Sequence, residues 1–349
     1  MAVLLPGSAV ATFFSVRASE WVNAPARDDS VATIHARSGD LLEVAFSADG
    51  TSVATGGWGE TVTIWDARSH QRRHTLTGHT DRIMGLAFSP DGQLLVSGSK
   101  DGTARVWSAR SGELIGIFRG HRDRVRTISF HLGDLVATGS RDGTIKVWHA
   151  RSLEVVAPLE PRRGFVYAVA FHPDGSSVTF GTSDGTLGTW NVRHDTYRTI
   201  RDGHGGIHAI AFEASGRSFA WSQADGVIHL MDAASGTVSA MLKGHAELVT
   251  SLAFSADGRL LVSASQDRSV RVWDTASQQA IATFVGHAGP VNAVALSPNG
   301  RRIVSASSDE TLKFWAFDSQ TLRRPLVITR PVGEGPRGLV FQAWRVNPR

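Results

Sequence analysis

The stretch Lys243–Asp274, KGHAELVTSLAFSADGRLLVSASQDRSVRVWD, decides how this chain is read. It holds three short runs rich in Val, Leu, Ala and Phe, broken at Ala256-Asp257-Gly258 and at Gln266-Asp267-Arg268. Apolar runs of strand length between turn-forming residues read as strands joined by tight turns. A Gly-His pair opens the unit and a Trp-Asp pair closes it.

Outward from this stretch the same unit recurs. Trp65, Trp107, Trp148, Trp190, Trp273 and Trp315 share one register, with Met231 where a tryptophan is missing, so successive steps are 42, 41, 42, 41, 42 and 42 residues. Gly-His recurs at His79, His121, His204, His245 and His287. A period of ~40–45 residues, four strands per unit, with Gly-His and Trp-Asp marks, belongs to propeller blades. On these residues the sequence resembles the WD40-repeat family, over at least Asp40 to Arg323. The resemblance implies an all-β propeller of four-stranded antiparallel blades. It also implies a non-catalytic scaffold for protein–protein interaction.

The repeats leave no room for a second domain of ordinary size, so residues 1–349 read as one propeller, with seven clear repeats in 40–323. Seven repeats of ~42 residues leave about 55, more than a whole blade. Ala9–Phe14, the region of Trp21, and Ser30–Ala36 read as three strands of a worn blade. The apolar Gly338–Val346 supplies a candidate inner strand, so segments 1–36 and 337–349 are expected to share an eighth, closing blade. The alternative is a seven-bladed ring with terminal extensions, in which Ser30–Ala36 and Leu322–Ile328 compete for one outer-strand slot. The seven inner strands are expected at Leu42–Phe46, Ile83–Phe88, Val125–Phe130, Val166–Phe171, Ile207–Phe212, Val249–Phe254 and Val291–Leu296. Their small apolar residues suit strands covered on both faces by neighbouring blades.

Composition narrows the function classes. The formal net charge is +4, too weak a basic bias to indicate nucleic-acid binding. The chain has no cysteine, which excludes disulfides, thiolate metal sites and a thiol nucleophile. No apolar run reaches the ~20 residues of a membrane span. Met1–Phe14, MAVLLPGSAVATFF, is apolar, but no positive charge precedes it and Pro6-Gly7 interrupts it, so a cytoplasmic location is expected over secretion.

Histidine, serine and aspartate at regular positions invite a hydrolase reading. The family resemblance instead implies a buried hydrogen-bond network in each blade. Complete sets stand at His79, Ser97, Asp101 and Trp107; His121, Thr138, Asp142 and Trp148; His245, Ser263, Asp267 and Trp273; and His287, Ser305, Asp309 and Trp315. Four equivalent sets argue against catalysis, because an active site is normally built once. The histidines recur a blade apart with no second ligand close in sequence, so no metal and no cofactor are expected. Repeats one, four and five depart from the pattern, at Asp40 and Trp58-Gly59-Glu60, at Arg162-Arg163-Gly164, and at Trp221 and Met231.

The resemblance also implies where a partner would touch: the rim around the start of each inner strand and the residue before the turn aspartate. That rim carries Arg82, Met84 and Lys100 in repeat two, Arg124, Arg126 and Arg141 in repeat three, and Arg162, Arg163, Phe165 and Tyr167 in repeat four. Repeats five to seven offer His208, Leu248, Thr250, Gln266, Pro290 and Asn292. Arginine with aromatics is the composition of interface anchors, and its paired hydrogen bonds suit carboxylates. A protein or peptide partner is therefore expected, with an acidic one favoured; a merely solvated basic rim is the competing reading. Nucleic acid, or a small ligand or enzyme chemistry in the central channel, are the lesser alternatives.

Overall fold

A computed structural model describes residues 30–36, 39–161, 164–203 and 205–317. These residues form seven four-stranded antiparallel sheets. Six are continuous in sequence: blade one covers residues 41–76, blade two 83–118, blade three 125–159, blade four 166–201, blade five 209–242 and blade six 249–284. The seventh combines Val291–Leu296, Arg302–Ser307 and Thr311–Ala316 with a strand from the other end of the chain, Ala32–His35. Ala32 pairs with Phe314 and Ile34 with Leu312.

That pairing settles the blade count. Ser30–Ala36 takes the outer slot of blade seven, and blade one then packs directly on blade seven. Leu41, Val44, Val53 and Trp65 meet Ala293, Val304, Ala306, Leu312 and Phe314 in one buried cluster. Asn292 Nδ2 donates to Leu41 O at 2.7 Å and Arg302 Nη1 to Ala67 O at 2.8 Å across the same junction. The expected eighth blade therefore has no place between them, and the ring is seven-bladed. The other segments assigned to it, in 1–29 and 337–349, lie outside the described residues, as does the leader-like stretch. No helix among the described residues is long and apolar enough to cross a membrane.

No blade has a core of its own. The buried apolar side chains fall into seven clusters, one at each junction; that between blades one and two, for example, joins Ile64 and Leu76 to Ile83, Phe88 and Trp107. The junction of blades four and five is the smallest, with Leu187, Ile207, Phe219, Trp221 and Met231. A strand buried on both faces loses its alternation of polar and apolar residues. In this ring that strand is the second of each blade: every residue of Ser52–Gly57, Leu94–Ser99 and Leu260–Ser265 is buried. The innermost strands, expected to be doubly covered, are only partly so because one side lines the central channel.

The turns follow the residue chemistry. Gly102 and Gly143 sit at φ 81° and 80°, the left-handed region that glycine enters without a Cβ penalty. Blades one, six and seven hold Glu60, Arg268 and Glu310 in that same region at the equivalent position, at φ 59°, 69° and 64°.

Deleting residues 1–36 removes the outer strand of blade seven, with Ala32, Ile34 and Ala36 that pack on the blade one–seven cluster. The truncated chain is expected to lose on the order of 1–2 kcal/mol from the partly buried Ile34 side chain alone, and to expose an unpaired edge. Thermal melting of the two chains checks this; an unchanged melting temperature would show that the strand does not close the ring.

Candidate functional site

Each of the four sequence-predicted sets is brought together by the same geometry. The histidine comes from the loop entering the blade, the Ser or Thr from the second strand, the aspartate from the turn after it, and the tryptophan from the third strand. In blade six, Trp273 Nε1 donates to Ser263 Oγ at 2.8 Å, His245 Nε2 lies 2.7 Å from Ser263 Oγ, and His245 Nδ1 lies 2.8 Å from Asp267 Oδ2. Blade two repeats it with 2.8 Å for all three contacts of Trp107, Ser97, His79 and Asp101. Blade three has 3.2, 2.8 and 3.1 Å for Trp148, Thr138, His121 and Asp142. Blade seven has 2.8, 2.7 and 2.9 Å for Trp315, Ser305, His287 and Asp309.

One chain of contacts links every member. Indole N–H donates to the hydroxyl and imidazole Nδ1–H to the carboxylate, with imidazole Nε2 within hydrogen-bond distance of the same hydroxyl. The hydroxyl residues Ser97, Thr138, Ser263 and Ser305 are all 0% exposed, so no substrate can reach an oxygen that would have to attack it. The arrangement can hold a blade together, but it cannot act as a hydrolytic triad. Among the described residues no group of three His, Asp or Glu side chains could hold a metal ion.

Burial alone would raise the Asp267 carboxyl, but hydrogen bonds from His245, Ser269 and the Ala246 amide hold it well below the usual carboxylate range. Asp101, Asp142 and Asp309 are held down in the same way.

The departing blades replace the network rather than simply losing it. In blade one the indole of Trp65 still donates to Thr55 Oγ1 at 2.8 Å. In blade four Phe180 fills the hydroxyl position, fully buried, and Trp190 Nε1 turns to Asp195 Oδ1 at 3.1 Å. Phe180 pairs across the sheet with Gly188, where a Cβ would stand 2.4 Å from the phenyl ring. Blade five exchanges sizes, with Trp221 at the hydroxyl position and Met231 at the tryptophan position, both buried. Trp221 stacks on His229 at 4.1 Å between centroids. The sequence reading missed the Phe180–Gly188 compensation because the partners are joined only by strand register.

On the face where the chain enters each blade, one backbone hydrogen bond recurs. Lys100 N donates to Arg82 O, Arg141 N to Arg124 O, Ser183 N to Phe165 O, Gln266 N to Leu248 O and Ser308 N to Pro290 O, at 2.8 to 3.1 Å. Each bond presents two rim side chains per blade, and blade one does the same with Trp58 N on Asp40 O. The guanidinium of Arg82 lies on the exposed ring of Trp58, and that of Arg141 is 4.7 Å from the centroid of Phe165. Lys100 pairs with Asp81 at 2.9 Å, and Arg124 with Asp123 at 3.7 Å. Arg162 and Arg163 lie outside the described residues.

Inside the rim, the second residue of six inner strands is skipped by the pairing register: Leu42, Met84, Arg126, Tyr167, Thr250 and Asn292. A bulged residue is re-aimed out of the ladder. These six, with His208 of blade five, line a channel cavity of about 490 Å³. The Arg126 guanidinium lies 4.5 Å from the Tyr167 centroid, whose ring is 5.1 Å from that of His208. The rim set is thus divided: Met84, Arg126 and Tyr167 face the channel, whereas Arg82, Lys100, Arg124, Arg141 and Phe165 form the outer face.

The channel also holds Glu43, which the sequence reading passed over. A lone acid within the apolar Leu41–Phe46 run was its signal. Burial pushes its carboxyl up to about 8 against the lowering pull of Arg126. Burial, and then Arg126, brings the His208 imidazole down to about 4. Arg126 is itself lowered, first by burial, with Tyr167 and Glu43 opposing and Arg124 adding to the effect.

Comparison with known families fits this geometry. The sequence model of the WD domain, G-beta repeat, matches residues 29–66, 70–108, 112–149, 155–191, 236–274 and 278–316. The chain belongs to the WD40 family. Each match begins with the outer strand of one blade and runs through the inner three of the next, so the first starts on the closing strand. Residues 192–235, most of blade five with its Trp221 and Met231, fall outside the matches. No curated protein matches the chain.

Two pH effects of opposite sign follow. The lock aspartates have depressed folded pKa values, so their contribution is complete above the unfolded value of ~3.9 and is lost as pH falls through the folded ones. Asp267→Asn should cost about 1–3 kcal/mol at neutral pH and flatten the acid limb of stability, as read by urea unfolding across pH. Glu43 is raised, so the folded state holds a proton that the unfolded chain releases. Its contribution falls as pH rises from 4.5 to about 8. Glu43→Gln should abolish that decline, and a parallel decline in the variant would assign it elsewhere.

Proposed function

We propose that this WD40 propeller is a docking platform whose entry face, over blades one to four, receives an acidic segment of a partner protein. WD40 propellers generally serve as protein-interaction scaffolds and are typically non-catalytic. The observation that carries the finer reading is the seating of guanidinium groups on aromatic rings, Arg82 on Trp58 and Arg141 on Phe165. A cation over a ring face keeps its N–H donors for an outside acceptor while its side chain is already ordered, which lowers the entropic cost of binding. Lys100 and Arg124 stand between these two anchors. Their pairing with Asp81 and Asp123 moderates the field of the face, which favours an acidic segment over the long phosphate track of nucleic acid.

The test replaces Arg82, Arg124 and Arg141 together with glutamate and compares proteins captured on the immobilised parent and variant. Partners with acidic segments should be retained by the parent and lose at least tenfold in affinity in the variant, since one charge-assisted hydrogen bond is worth about 1.5–3 kcal/mol. An identical retained set on both chains would refute the acidic-segment reading.

A further inference from the structure

The channel differs from the rim around it. Asn292 Nδ2 is committed to Leu41 O and Ser308 Oγ, and Thr250 Oγ1 to Val291 O. The titratable side chains lining the cavity are Glu43 from blade one, Arg126 from blade three, Tyr167 from blade four and His208 from blade five. Blades two, six and seven add Met84, Thr250 and Asn292 at the equivalent positions, none of them titratable. Arg124, just before the strand of Arg126, is the further charge acting on this group. Among the described residues no ion pair joins Glu43 to Arg126, so the guanidinium sits against Tyr167 with no carboxylate in contact.

A largely buried cation without a contacting counter-ion is costly unless an anion comes to it. Guanidinium offers a planar pair of donors, which a carboxylate matches with two parallel hydrogen bonds. A cavity of about 490 Å³ is ample for a small acid or for one acidic side chain. We propose that the channel is a carboxylate-binding site, with the anion seated on Arg126 and flanked by Glu43, Tyr167 and His208. The site is distinct from the outer rim and does not depend on the acidic-segment reading.

Glu43 makes this site proton-linked. With its carboxyl raised to about 8, Glu43 is mainly protonated at neutral pH and donates a hydrogen bond to an incoming carboxylate. Once ionised it adds a second negative charge to the cavity, within electrostatic reach of the same guanidinium, and opposes binding. His208, brought down to about 4, stays neutral through this range and contributes no compensating charge. Affinity therefore falls as pH rises through the titration of Glu43.

The experiment is calorimetric titration of the full chain with succinate at about pH 6.5 and about pH 9, bracketing the perturbed carboxyl. Binding is expected at the lower pH, at least tenfold weaker at the higher one, and reduced at least tenfold by Arg126→Met. Glu43→Gln should bind equally at both. A second arm uses a Glu-rich peptide with Arg82 and Arg141 changed to glutamate, so that the two stacked rim arginines are removed while Arg124, which acts on Arg126, is kept. Peptide binding sensitive to Arg126→Met, with no heat from succinate, assigns the carboxylate to a partner's side chain and supports the site. Indifference of both ligands to Arg126→Met overturns it, whatever becomes of the rim variant. If Arg126→Met fails to fold, the pH dependence of the parent against Glu43→Gln decides; equal dependence in the two overturns it.

Discussion

Every blade of this ring depends on its neighbours for a hydrophobic interior. The second strands are buried on both faces, and each apolar cluster straddles a junction, so a single blade would expose two core faces to water. A structure of this kind is stable only when its last unit meets its first. The antiparallel strand Ala32–His35 does this through hydrogen bonds, while Leu41 and Trp65 packed against Val304 and Phe314 do it through burial. The first and last strands among the described residues thereby share one sheet, and unravelling from either requires breaking a long-range pairing.

Within that frame the polar locks are local, and the ring tolerates their replacement. A buried polar set is costly when half satisfied and close to neutral when exchanged whole for apolar groups of similar volume. Blade four makes that exchange with Phe180 against Gly188, whereas blade five fills the space with Trp221 and Met231 and leaves the buried indole N–H of Trp221 without a hydrogen-bond partner. The complete sets flank these two blades, in two and three on one side and six and seven on the other. The blade four–five junction has the smallest buried apolar cluster, and hydrogen bonds from His172 to Gly216 O and from Arg198 to Ala233 O and Ala234 O span it.

Function sits on features that the packing leaves free. In six of the seven blades the bulge after the first residue of the inner strand turns one side chain into the channel, whatever its chemistry, because the distortion belongs to the backbone. The recurring bond between the strand entrance and the turn does likewise for two side chains on the face. Seven equivalent positions with unlike residues make an asymmetric surface from a near-symmetric ring. Arginines stacked on aromatics gather over blades one to four, and uncharged residues such as Leu248, Gln266 and Pro290 occupy blades six and seven.

The repeat period, strand chemistry and turn residues were sufficient to determine the fold class, because each blade's structure is written within ~42 consecutive residues. The four polar sets and most rim positions were legible for the same reason, being at constant offsets within a repeat. Blade number was not, because Ser30–Ala36 has the pattern of an outer strand wherever it pairs, and only packing of blade one on blade seven selected its slot. Arg82 on Trp58, and Glu43 lining one channel with Arg126, were likewise decided by tertiary structure. Contacts across a junction or a channel join residues whose separation in sequence carries no signal, and a burial that lifts a carboxyl to about 8 exists only once the ring has closed around it.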